Sequence, residues 1–78
     1  MFNIRHFISD TSFQMVYMRN YLDLINYTDI ISMDINRIVL KIENEKLVIK
    51  GNNLVVKKLL ESEMVIDGNI LTIEFNNE

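Results

Sequence analysis

The sequence predicts a small all-β fold, an antiparallel β-sandwich of about eight short strands. Three observations predict it. A phrase of the form x-Val-Ile-x-Gly-Asn-x-Leu occurs twice, as Leu47–Leu54 and Met64–Leu71, and holds the only two glycines of the chain. Apolar and polar residues alternate with period two from Arg37 onward, the spacing of a half-buried strand. Clusters of turn-forming residues recur at short intervals, leaving no segment long enough for a substantial helix.

Taken in order, residues 1–12 form a short N-terminal arm closed by the turn formers Ser9-Asp10-Thr11-Ser12. The arm is expected to dock on the domain or fray, with a membrane-surface or partner-binding arm as the alternative reading. The domain itself is expected over 13–76. Phe13–Met18 reads as the first strand and Tyr21–Asn26 as the second, both rich in aromatic and branched residues. Tyr27-Thr28-Asp29 makes a corner, Ile30–Met33 a third strand, and Asp34-Ile35-Asn36 a further turn. Ile38, Leu40 and Ile42 then alternate with Arg37, Val39 and Lys41. A two-residue turn at Asn44-Glu45 would set Ile42 opposite Leu47 and Leu40 opposite Ile49. A type II′ turn at Gly51-Asn52 would set Ile49 opposite Leu54 and Leu47 opposite Val56, because glycine takes positive φ without a Cβ penalty. After the link Leu59–Ser62, a Gly68-Asn69 turn would pair Ile66 with Leu71 and Met64 with Ile73, with Phe75 extending the inward row. Leu40, Ile49, Leu54, Ile66 and Ile73 are the expected core.

Composition narrows the function. At 78 residues, 49% of them apolar, the chain has room for one domain with a small core and is too apolar for disorder. It has no cysteine, so neither a disulfide nor a Cys-based zinc site is expected, and a reducing compartment fits. No apolar run approaches the roughly 18 residues of a membrane span, and the first residues lack a signal-peptide pattern, so a cytoplasmic protein is expected. The net charge of −3 argues against nucleic acid as the main partner.

No catalytic constellation emerges, and no catalytic, cofactor-binding or metal-binding residue is assigned. His6 is the only histidine and has no identifiable oriented partner. Glu61 and Glu63, like Glu43 and Glu45, are spaced as solvated edge charges. The serines Ser9, Ser12, Ser32 and Ser62 lack a nucleophile-elbow context, and neither glycine phrase opens a helix as a phosphate loop would. A non-enzymatic protein with no cofactor and no small-molecule substrate is expected.

One constellation suggests binding. If the inward row is right, the outward row is Arg37, Val39, Lys41, Lys46, Val48, Lys50, Asn53, Val55 and Lys57, with five of the chain's eight basic residues on it. The plain account is that lysines solubilise an exposed sheet face. The functional account is a cationic, valine-striped partner face, formed by Arg37, Val39, Lys41, Lys46, Val48, Lys50, Val55 and Lys57. It suits a protein better than nucleic acid, because aromatics for base stacking are missing from it. A nucleic-acid or other ligand-binding β module is the alternative function. Without disulfide or metal, a domain this short also gains from burying a second surface, so a homodimer formed mainly by edge pairing or swapped strands from Phe13–Tyr27 is expected, leaving the cationic face free for a different protein.

From about Phe13 to Phe75 the chain resembles the YabP/YqfC family of sporulation proteins. The resemblance lies in Leu24-Ile25-Asn26, Ile30-Ile31, Arg37–Leu40, the run Leu47–Leu59 containing Leu-x-Ile-x-Gly-x-x-Leu, and Ile66-Asp67-Gly68-Asn69-Ile70-Leu71-Thr72-Ile73. Family glycines are replaced at Met18-Arg19, Asp29 and Glu45, where Asn20 and Asn44 can supply positive φ instead. The resemblance implies a small all-β sandwich, made in the sporulating cell and possessing no enzymatic activity. It implies a role in assembly of the spore envelope (coat or cortex), at the forespore surface, beside a membrane protein encoded nearby such as a YabQ- or YqfD-like protein.

Overall fold

The computed structural model describes residues 12–19 and 21–77. The arm assigned to residues 1–12 thus lies almost wholly outside the described residues, as do His6 and Asn20. Among the described residues there are six strands and no helix: β1 Gln14–Met18, β2 Tyr21–Ile25, β3 Asp29–Met33, β4 Arg37–Ile42, β5 Glu45–Leu59 and β6 Glu63–Asn77. They form one antiparallel sheet in the order β1-β2-β6-β5-β4-β3.

The all-β antiparallel class is therefore as expected, but among the described residues six strands in one continuous sheet stand in place of a sandwich of about eight. Neither Gly51-Asn52 nor Gly68-Asn69 is a turn. Each lies inside a continuous 15-residue strand, and the two phrases face each other, Gly51 opposite Ile70 and Asn52 opposite Asn69. The link at 60–62 is the true hairpin turn, where Leu60 N–H donates to the Glu63 carbonyl at 2.8 Å. The glycines serve close backbone approach. A Cβ on Gly51 would overlap the Asn69 carbonyl oxygen, and one on Gly68, whose φ is +121°, would lie 2.5 Å from the Asn53 carbonyl oxygen. Each glycine thus makes room for the backbone of the opposite phrase. Gly51 itself has no positive φ; the left-handed residue of that phrase is Asn53, at φ 53°.

Around these phrases the ladder slips three times, between Lys50 and Gly51, between Asn52 and Val55, and between Val56 and Lys58. Bulges bend a strand and sharpen its twist, so the long hairpin has two halves. In the β4 half, residues 45–50 and 72–77 are flanked by β4 and then β3; in the β2 half, residues 55–59 and 63–67 are flanked by β2 and then β1.

A flat single layer would leave its apolar face wet. Leu22, Leu24, Leu40, Leu47, Ile49, Met64 and Ile66 are instead 0% exposed. Residues from both halves belong to one cluster with Ile38, Ile42, Leu54 and Tyr27. The sheet therefore folds over at the bulges and closes its inner face on itself. Two shallow concavities record the closure: Tyr17 of β1 shares one of about 160 Å³ with Ile70 to Ile73, and Phe13 shares one of about 360 Å³ with Ile42 and Phe75. The corner between β2 and β3 ties the halves together. Asn26 N–H donates to the Ser62 carbonyl at 2.6 Å and Thr28 N–H to the Lys41 carbonyl at 2.8 Å. Tyr27 is buried among apolar side chains and donates its hydroxyl to the Leu60 carbonyl at 2.6 Å.

The expected core is largely found. Leu40, Ile49, Leu54 and Ile66 are buried and Ile73 is half-buried, while Phe75 sits at the open end, 49% exposed. The pairings that bury them differ. The β4–β5 turn is Glu43-Asn44, one residue earlier than expected, and Glu43, not Asn44, takes the positive φ of 45°. Leu40 consequently pairs with Leu47 and Ile38 with Ile49. This moves each partner by two residues, and because side chains alternate with period two, every residue keeps its face. Ile66 pairs with Val56 and Leu22, not with Leu71, and Met64 with Leu59 and Leu24, not with Ile73.

Candidate partner-binding face

The outer face of the β4 half is set by two ladder rungs of like charge. Arg37 lies opposite Lys50 and Lys41 opposite Lys46, with Val39 opposite Val48 between them. Six of the eight residues expected on the partner face are thus brought together. Their neighbours on β6 are Thr72, Glu74 and Asn76, and on β3 Asp29 and Ser32. Like charges directly opposite one another destabilise a sheet. Glu74 partly offsets the first pair, with its Oε2 at 3.6 Å from Lys50 Nζ across an exposed surface, a contact of small energetic value.

Two expectations about this face are corrected. Val39 and Val48 do not form an exposed stripe; they are 5% and 3% exposed. The positions around them carry long cationic side chains, whose alkyl stems can cover a valine while the charge stays in water. Val55 and Lys57 are not on this patch either. The bulges carry them past the bend, where Val55 pairs with Asp67 and Lys57 Nζ lies 4.0 Å from the Asp67 carboxylate. Val55 is half exposed there.

A second cluster, on the outer face of the β2 half, was not singled out from the sequence. Asp23 of β2 lies opposite Val16 on one side and Val65 on the other, and Val65 is opposite Lys58. Val65 is buried. The Asp23 Oδ1 atom is buried without a hydrogen-bond partner. Burial pushes the Asp23 carboxyl above its ordinary value of 3.8, and a hydrogen bond shared with Glu63 together with the Glu63 charge adds to the rise. Glu63 is held below its ordinary value by that bond and by Lys58, whose Nζ is 3.2 Å from Glu63 Oε1. An isolated acid in Tyr21-Leu22-Asp23-Leu24-Ile25 is the signal that marks this outward position. Among the described residues, no group of three or more His, Cys, Asp or Glu side chains could hold a metal ion.

Neither a curated protein nor a solved structure matches the chain. A family model does match it, described as the YabP family and covering residues 12–78, which includes every strand of the sheet.

Proposed function

Since this chain belongs to the YabP family, we propose that it is a non-enzymatic sporulation protein that contributes to spore-envelope assembly by holding an acidic protein surface on the cationic face of β4 and β5. One observation carries the choice of face. Arg37 opposite Lys50 and Lys41 opposite Lys46 are two like-charge rungs in one ladder. Such rungs cost folding stability, and an anionic partner laid across them would offset that cost.

A protein partner is favoured over a polyanion. The face has no aromatic side chain for stacking, and its valines are covered rather than free to insert into lipid. No helix among the described residues is long and apolar enough to cross a membrane. On this reading the protein works in the cytoplasm of the sporulating cell and reaches the forespore surface through its partner, a membrane protein encoded nearby.

The test replaces the chromosomal copy with a Lys41→Glu/Lys50→Glu variant and compares spores with those of a deletion strain. The expected result is a variant that accumulates and folds normally yet gives the envelope defect of the deletion. Normal variant spores beside defective deletion spores would reject the face. Normal spores from the deletion itself would reject the sporulation role.

A further inference from the structure

The sheet has two edge strands among the described residues, β1 and β3, and they are built differently. An edge presents aligned, unpaired N–H and C=O groups to any other strand, and proteins guard edges with charge, bulges and irregular backbone. β3 is guarded. Its ladder skips between Ile30 and Ser32, acids stand at both of its ends, and the Ile30 N–H is taken by Asp29 Oδ1 at 2.8 Å. β1 has none of these devices. It pairs with β2 in unbroken register and contains no charged residue, and Val16, Tyr17 and Met18 are 47%, 53% and 55% exposed.

We infer that β1 is a self-pairing edge: two copies of the chain join β1 to β1 antiparallel about a two-fold axis at Val16. In that register Val16 faces its own copy, Gln14 faces Met18 and Met15 faces Tyr17. Like-numbered parity keeps the inner faces of both sheets on the same side. No like charges meet, and the Met15–Tyr17 rung brings a thioether against an aromatic ring. A second copy fits this edge better than the cationic face, where a two-fold axis would set Arg37, Lys41, Lys46 and Lys50 near their own copies. The two surfaces are distinct, so self-pairing at β1 does not depend on the partner reading of the β4 half.

Sedimentation of the full chain tests it, with a mass of about 18 kDa expected, twice the 9.2 kDa of the monomer. Val16→Lys should weaken self-association by about tenfold or more, because two lysines then meet at the axis. An equimolar mixture of Val16→Lys and Val16→Glu should restore a heterodimer, an outcome that simple misfolding of either variant cannot give. A wild type that stays at 9.2 kDa at high micromolar concentration overturns the proposal. So does a Val16→Lys protein that remains as dimeric as the wild type. A monomer that pairs only after removal of residues 1–11 would assign the edge to the chain's own N-terminal segment and would also overturn it.

Discussion

The folded sheet carries a buried valine centre on its outer surface on each side of the bend, and the two treat charge in opposite ways. Around Val39 and Val48 the flanking rungs place cations opposite cations. Around Val65 the charges are of both signs and settle locally: the Glu63 carboxyl raises the neighbouring Asp23, and Glu63 is itself paired to Lys58. A sheet can therefore cover an outward valine by either arrangement. The difference lies in what remains for a partner. The β2 half balances its charges locally, whereas on the β4 half the four cations Arg37, Lys41, Lys46 and Lys50 have only the acids Asp29 and Glu74 as ladder neighbours, so the face stays net positive.

The largest effect should come from removing the bend that separates these surfaces. Gly51→Val is expected to cost about 3–5 kcal/mol, because the new side chain meets the Asn69 backbone carbonyl, which cannot swing aside as a side chain would. Denaturant unfolding measures it, and a loss under about 1 kcal/mol would show that the glycine is not needed for the crossing.

The next change sharpens the β2 half. The raised Asp23 carboxyl means that the folded state favours the protonated form. Its burden is absent below the ordinary value of 3.8 and grows as pH rises through the folded pKa, so this group lowers stability at neutral pH. Glu63 has the opposite sign: its contribution is present above 4.5 and is lost as pH falls through its lowered pKa. Asp23→Asn imitates the protonated acid and can still donate to Glu63. The variant should melt above the wild type at pH 7, with the difference closing below pH 3.8. A variant that melts lower at pH 7 would mean that the Asp23 charge is stabilising.

The smallest change tests the β4 half. Lys46→Glu turns the Lys41–Lys46 rung from repulsion to attraction and should stabilise the domain by about 0.2–1 kcal/mol at low salt. The gain should shrink as salt is added. Lys58→Glu on the other half should do the reverse, since it removes the partner of Glu63.

Strand positions were legible because alternation survives errors in register. The β4–β5 turn was misplaced by one residue, yet Ile38, Leu40, Leu47 and Ile49 still fell inward. The two Gly-Asn phrases were not legible as what they are. A glycine that admits an opposing backbone leaves the same local trace as a glycine at a turn, and the two differ only in a contact 18 residues away, between Gly51 and Asn69. That one ambiguity accounts for the excess strands, the misassigned partners of Met64 and Ile66, and the placing of Val55 and Lys57 on the wrong patch. Covering of Val39 and Val48 was hidden for another reason: alternation reports which side a residue faces, not whether its neighbours' stems reach over it.

The long hairpin also sets an order of events for the chain as it is made. Leu59 and Met64 meet only five residues apart in sequence, whereas Glu45 and Asn77 are thirty-two apart, so pairing starts cheaply at 60–62 and runs outward. Each of the three slips in the ladder is a step where the zipper has to change phase before it proceeds. Because β6 follows the other five described strands in the chain and joins β2 to β5, nothing upstream of it can complete the sheet. β1 and β2 form a pair without a core, and β3, β4 and β5 a meander with one face open. Until β6 emerges, the nascent chain is two unfinished sheets waiting for the strand that makes them one.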